Sequence, residues 1–268
     1  MTHNLIGVDK KIERAEKHIL DLQDARKRFI DTDPYPTGGQ RNPETRCPEY
    51  RVLSVRAIDS DIAAIAGDVI QNLRSALDHL AYQLVIVGTR KPGPFTHVYY
   101  PIAKSATDYE TEKLRKTKGM RQDAIDAIDA TKPYRGGNDT LWQLHELNLV
   151  DKHRLLLSAG AYFQSMDAMV DILRNLEKQV GHPIPKIQYP ISPMIKRFPL
   201  EVGDVLYIAD PRDEVNDNHQ FNFEIAFKES GIVWGEPVIP KLQEMVDMVN
   251  GIVRAFREAR ALARALWI

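Results

Sequence analysis

Cysteine is nearly absent. Cys47 stands alone in 268 residues, which excludes an internal disulfide framework and any cysteine-rich zinc module and fits a reducing cytoplasm. An excess of either charge is also missing, because 36 Lys and Arg against 37 Asp and Glu leave a formal charge of -1. Any contact with a polyanion must therefore come from local patches and not from a basic body. No long hydrophobic run occurs either: the most apolar stretch, residues 80–88, is far too short to span a bilayer. The opening MTHNLIGVDKKIERAEKH has no sustained apolar segment, so no signal peptide is expected. Together these features suggest a cytoplasmic protein with no membrane partner. The sequence contains no G-x-S-x-G, H-E-x-x-H or dinucleotide fingerprint, and Gly136-Gly137-Asn138-Asp139 lacks the glycine spacing and Lys-Ser/Thr ending of a P-loop. Internal repeats and low-complexity tracts are absent as well.

What is present is helical periodicity. Hydrophobic residues make up 43% of the chain, enough for a substantial core. Residues 8–30 carry Ile12, Ala15, Ile19, Leu22, Ala25 and Phe29 at helical spacing. Residues 31–48 concentrate Pro and Gly and read as an exposed loop, and Tyr50 to Arg56 alternates as a short strand would. The longest helix is expected from Asp59 to Gly88, with Ile62, Ile70, Leu73, Leu77, Leu80 and Leu84 on one side and Val69 and Val87 at its margin. Further helices are expected near Ser105 to Lys116, over Asp123 to Ala130, and from Thr140, where Thr140 and Gln143 can form a capping box. The helix of residues 141–157 is apolar almost all round and so should be surrounded by protein.

The second half reads differently. Residues 187–200 hold three prolines among apolar residues, 205–209 form a short apolar run, and Phe221 to Phe227 alternates with period two. Ile232 to Trp234 can close a hairpin. From Ile239 to Ile268 a helix returns, with Arg254, Arg257, Arg260 and Arg264 on one face. The expected fold is α+β and mainly α: a bundle of long helices with a small antiparallel sheet inserted before the C-terminal helix. It reads as one domain, helical over 1–158, β-rich over 185–235 and helical again over 239–268.

The candidate chemistry lies on the longest helix. Asp68, Asn72, Ser75 and His79 follow the helical repeat and form a polar seam opposite the apolar stripe. Arg74 and Asp78 lie between seam and core, four residues apart, and can pair along the helix. An arginine is also followed by a histidine, after six residues instead of four, at Arg90 to His97 and Arg212 to His219, but both lie in proline-bearing loops. Helical context selects Arg74-Ser-Ala-Leu-Asp-His79.

This segment resembles the R-x4-6-H motif of HEPN domains, the higher eukaryote and prokaryote nucleotide-binding family of helical proteins. Ser75 stands where that family tends to place Asn, Asp or His. The resemblance implies a metal-independent endoribonuclease acting on single-stranded RNA, a toxin or antiphage effector, with the motifs of two protomers meeting in a homodimer and an antitoxin or defence-system partner. By position, Arg74 would bind the scissile phosphate and His79 would transfer a proton at the 2′-hydroxyl or the leaving group. The chemistry is compatible with this, since imidazole exchanges protons near neutrality and guanidinium stabilises charge on phosphate oxygens. No cofactor or metal is then required.

Two other readings stand beside it. In the first, the chain is a non-catalytic helical module for dimerisation or for binding a nucleotide or protein, with Arg74 and Asp78 an ion pair and His79 and Asn72 bonded between helices. In the second it is a metal-dependent hydrolase drawing on His145, Asp151 and His153, although two histidines eight residues apart on a helix are roughly 12 Å from each other. His145, Asn148, Asp151, Lys152 and His153 are polar members of an otherwise apolar helix and candidates to complete a site. Lys113, Arg115, Lys116, Lys118 and Arg121 form a basic stretch that could follow an RNA backbone, with Tyr82, Tyr99, Tyr100 and Tyr134 as candidates to stack on bases.

Overall fold

A computed structural model describes residues 5–153, 159–166, 198–215 and 221–265. Among the described residues the fold is α+β and mainly α, with six helices and five strands. The chain forms two compact units, Met1–Asp24 with Ser60–Leu156 and Val238–Ile268, and Ala25–Asp59 with Leu157–Pro237.

The first unit is helical. It holds the first part of α1 (Ile6–Ile30), then α2 (Ser60–Thr89), α3 (Ala106–Lys116), α4 (Gln122–Ala130), α5 (Asp139–His153) and α6 (Val238–Ala265). The helices α2, α5 and α6 pack on one another in pairs and build its core. On α2, Ile62, Ile70, Leu73, Leu77 and Leu80 are fully buried, each contributing roughly 1.5–3 kcal/mol through removal from water. Leu141, Leu144 and Leu147 of α5 and Leu242, Met245 and Val249 of α6 are buried as well. Leu84, expected inside, is only half-buried.

Helix α2 ends where the sequence says it must. Arg90 adopts the left-handed conformation, φ 57°, and donates its amide to the Ile86 carbonyl at 2.9 Å, and Pro92 then forbids a further turn. Near this end a Cβ at Gly88 would lie 2.1 Å from the Gly119 carbonyl oxygen. Glycine thus permits α2 to touch the α3–α4 connection. Helix α3 is capped by Ser105, whose hydroxyl accepts from the Asp108 amide at 3.1 Å. Helix α5 is capped by Asn138, whose Oδ1 accepts from the Leu141 amide at 3.0 Å. This replaces the expected Thr140–Gln143 box; the Thr140 hydroxyl instead reaches Glu244 of α6.

The second unit carries the strands β1 (Thr37–Arg41), β2 (Pro48–Val52), β3 (Ala159–Met166), β4 (Val205–Ile208) and β5 (Phe221–Phe227). An antiparallel sheet has the order β1-β2-β4, with Gly39 opposite Tyr50 and Tyr50 opposite Tyr207. A second antiparallel pair joins β3 to β5. The expected loop at residues 31–48 therefore contains β1, a strand hidden by its Gly-Gly centre. Residues 159–166, which lie between the expected helical and β-rich regions, form β3. Residues 229–235 make turns rather than a strand, closed by the Gly235 amide on the Phe227 carbonyl at 2.8 Å. Residues 154–157 of the expected helix and most of 187–200 lie outside the described residues.

Candidate functional site

Arg74 and His79 are five residues apart on α2, an angular separation of roughly 140° on a helix. Arg74 is buried, with 6% of its surface exposed, whereas His79 is exposed. His79 lies on the face toward the start of α1, where a Cβ at Gly7 would meet its Nδ1 at 3.0 Å. Asn72 shares that face and accepts a hydrogen bond from the Lys11 ammonium at 3.3 Å, while its own amide donates to the Asp68 carbonyl at 2.8 Å. Asp68 is exposed and Ser75 half-buried. The polar seam expected from the sequence is thus an α1-facing surface that excludes Arg74.

Arg74 turns instead toward the connection after α2. Its Nη1 stands 3.0 Å from Asp78 Oδ1, and its Nη2 donates to the Tyr100 carbonyl at 3.0 Å. The Tyr100 amide in turn donates to Asp78 Oδ1 at 2.9 Å. One ion pair therefore holds both backbone polar groups of one residue. Burial lowers the pKa of Arg74 and raises that of Asp78, each opposed by the charge of the other. Tyr100 is itself buried, its hydroxyl 3.0 Å from that of Thr131, so it is not available for stacking on a base. Tyr82 packs on Phe95 and Tyr134 on Tyr109, leaving Tyr99 as the exposed member of the expected set.

The clamp on Tyr100 holds the backbone of the connection that leads on to Lys104. Helix α5 passes the same face of α2. Gly67 makes room there for Asp151, whose Oδ1 would be 2.5 Å from a Cβ at that position. His145 lies farther back on α5, half-buried, with an Nδ1 that is sealed from solvent and has no hydrogen-bond partner. Burial first, and then the charges of Arg74, Lys116, Lys152 and Lys104, push this imidazole down to about 3, so it is neutral at physiological pH. Lys116 reaches the cluster from α3, its ammonium on the Ile102 carbonyl at 3.3 Å and paired with Glu112. Lys152 follows His145 by seven residues, nearly the same angle on the helix, and acts on Asp78 as well. Asn148 of α5 is buried.

Of the residues singled out in the sequence, Arg74 and Asp78 are paired, and Arg74, Lys116 and Lys152 act electrostatically on both Asp78 and His145. Lys104 joins them without a sequence signal, since it sits in a proline-bearing connection with no periodicity. The basic stretch of residues 113–121 is not a continuous track. Lys113 pairs with Glu110 and Asp129, and Arg121 pairs with Asp123 through two hydrogen bonds, leaving Arg115 and Lys118 exposed without an ion pair among the described residues. On α6, Arg254 is exposed and Arg257 pairs with Asp9. The side chains of His153, Arg260 and Arg264, and the whole of His219, lie outside the described residues. Among the described residues no group of three or more His, Cys, Asp or Glu is placed to hold a metal ion. No described helix is long and apolar enough to cross a membrane.

No protein-family model, curated protein or solved structure matches the chain.

Proposed function

We propose that this protein is a helical nucleotide-binding module that receives a phosphate group among Arg74, Lys104, Lys116, His145 and Lys152. One observation carries the reading: Nδ1 of His145 is sealed without a partner, in an imidazole whose pKa is lowered by burial and then by the charges of Arg74, Lys116, Lys152 and Lys104. A buried polar atom left without a hydrogen bond is costly, and an anionic oxygen would satisfy it. Guanidinium and ammonium groups are the side chains that recognise phosphate. The test is titration of the purified chain with nucleotides and short single-stranded RNA in EDTA. Binding that weakens with added salt and in Lys104→Ala and Lys152→Ala supports the reading; tight binding indifferent to both would sink it.

A second reading, the HEPN-like endoribonuclease with its toxin or antiphage role, draws on the exposure of His79, which leaves that imidazole open to a substrate. It requires a cation other than Arg74 of the same chain beside the phosphate. Cleavage of single-stranded RNA in EDTA that disappears in His79→Ala would favour this reading over the first.

A further inference from the structure

We propose that two copies of this chain pair edge to edge through β1, antiparallel about Gly39, and form a homodimer with one continuous sheet. The surface belongs to the second unit and is independent of the phosphate-binding reading.

Backbone bonding decides which way each residue of β1 points. The Leu53 amide donates to the Pro36 carbonyl at 2.8 Å and the Asn42 amide to the Cys47 carbonyl at 2.9 Å, so residues 36 and 42 bond toward β2. That role alternates along an antiparallel ladder, and the register is regular from Thr37 opposite Val52 to Arg41 opposite Pro48. Gly38 and Gln40 therefore bond inward as well, while Thr37, Gly39 and Arg41 present their N–H and C=O groups outward. β1 is an edge strand, and those outward groups have no hydrogen-bond partner among the described residues.

Natural edges are blunted by lysine, proline, a bulge or a very short strand. The other edge of this sheet is treated so: β4 has four residues, and its ladder with β2 shifts register between Tyr50 and Arg51. β1 carries no lysine, proline or register shift from Thr37 to Arg41.

Symmetry and charge select a second copy as the occupant. Thr37, Gly39 and Arg41 are evenly spaced, so a two-fold axis at Gly39 sets Gly39 against itself and Thr37 against Arg41, each outward group meeting its complement. Gly39 brings no side chain to the axis. The space over it is filled by Tyr50 and Val215 of its own chain, whose nearest carbons lie 2.8 Å and 2.7 Å from where a Cβ would stand. The one charge of the strand, Arg41, sits at its end, with its guanidinium held by the carbonyls of Arg46, Pro211 and Asp213. Antiparallel pairing keeps the two arginines about 13 Å apart along the strands; parallel pairing would set them side by side. A formal charge of -1 leaves no general repulsion between copies.

The experiment is sedimentation of the full chain across the micromolar range, with amide hydrogen exchange. A dimer is expected, in which the amides of Thr37, Gly39 and Arg41 exchange more slowly as concentration rises. Those of Gly38 and Gln40, already bonded to β2, should not change. Thr37→Pro removes an amide that β2 does not use, so the fold should survive and the dimer weaken at least about tenfold. If that variant unfolds, Thr37→Lys and Thr37→Glu decide: lysine opposite Arg41 is expected to weaken the dimer several-fold and glutamate to tighten it. A chain that stays monomeric throughout overturns the proposal. So does a dimer indifferent to the Thr37 variants, which would use another surface, and so does open-ended growth with concentration, the mark of β1 adding to β4 of the next copy.

Discussion

Arg74 and His79, neighbours in a motif, occupy different environments on α2, one enclosed against the Tyr100 backbone and the other open on the side of Gly7. Their separation follows from helix geometry, because a five-residue step turns the side chain by roughly 140°. Arg74 is thereby committed to structure and His79 is not. Arg74→Ala strands a half-buried Asp78 carboxylate and the Tyr100 carbonyl, a loss of about 2–3 kcal/mol, whereas His79→Ala should stay within about 0.5 kcal/mol. Urea unfolding of both variants checks the contrast. Comparable stability in the two would show that Arg74 does not hold the connection.

The imidazole of His145 makes stability depend on pH. Its folded pKa, about 3, lies below the ordinary 6.5, so the unfolded chain takes up a proton in a range where the folded chain does not. The stabilisation is complete above the ordinary value and is lost as pH falls toward the folded one, by about 2 kcal/mol between about pH 7 and about pH 5. Asp78 acts with the opposite sign. Its pKa is raised by burial, so its contribution is present at low pH and lost as pH rises through the raised value. Subtracting the curve for His145→Gln from that of the unaltered chain isolates the histidine. A difference that does not change with pH would contradict the assignment.

Gly88→Ala tests the approach of α2 to the α3–α4 connection. Alanine is the better helix former by about 1 kcal/mol, yet its Cβ would fall 2.1 Å from the Gly119 carbonyl oxygen and 3.0 Å from the Met120 carbonyl carbon. Backbone cannot step aside as a side chain can. The expected result is a net loss of about 1–3 kcal/mol. Gly67→Ala offers the comparison, since the atoms it meets belong to the Asp151 carboxylate, which can rotate; its loss should be smaller. Thermal melts of the two variants side by side decide the order.

In the second unit Tyr35 packs edge-on against Phe29 and Phe223, with ring centroids 6.0 Å and 5.2 Å away, and its buried hydroxyl has no hydrogen-bond partner. Tyr35→Phe keeps the ring and removes the orphaned group, so stability should rise by about 1 kcal/mol. Tyr35→Ala removes the ring too and should cost about 3–5 kcal/mol. A destabilised Tyr35→Phe protein would reveal a bond to the hydroxyl.

The amino-acid order by itself determined the helices. Ile62, Ile70, Leu73, Leu77 and Leu80 mark the buried side of α2 because a 3.6-residue repeat is a local property, and Ser105 and Pro92 start and stop helices through local backbone chemistry. The pairing of Arg74 with Asp78 was legible for the same reason. Strand β1 was not, since its Gly-Gly core has no pattern of its own and exists through its pairing with β2. Tertiary structure alone decided which polar residues share a site. Lys104 and Lys116 act on His145 only because the fold packs α5 on α2, while His79 lies on another face of α2, toward the start of α1. Periodicity fixes the direction of a side chain about its own helix axis; what it meets depends on which helix arrives from elsewhere in the chain, and no local pattern encodes that.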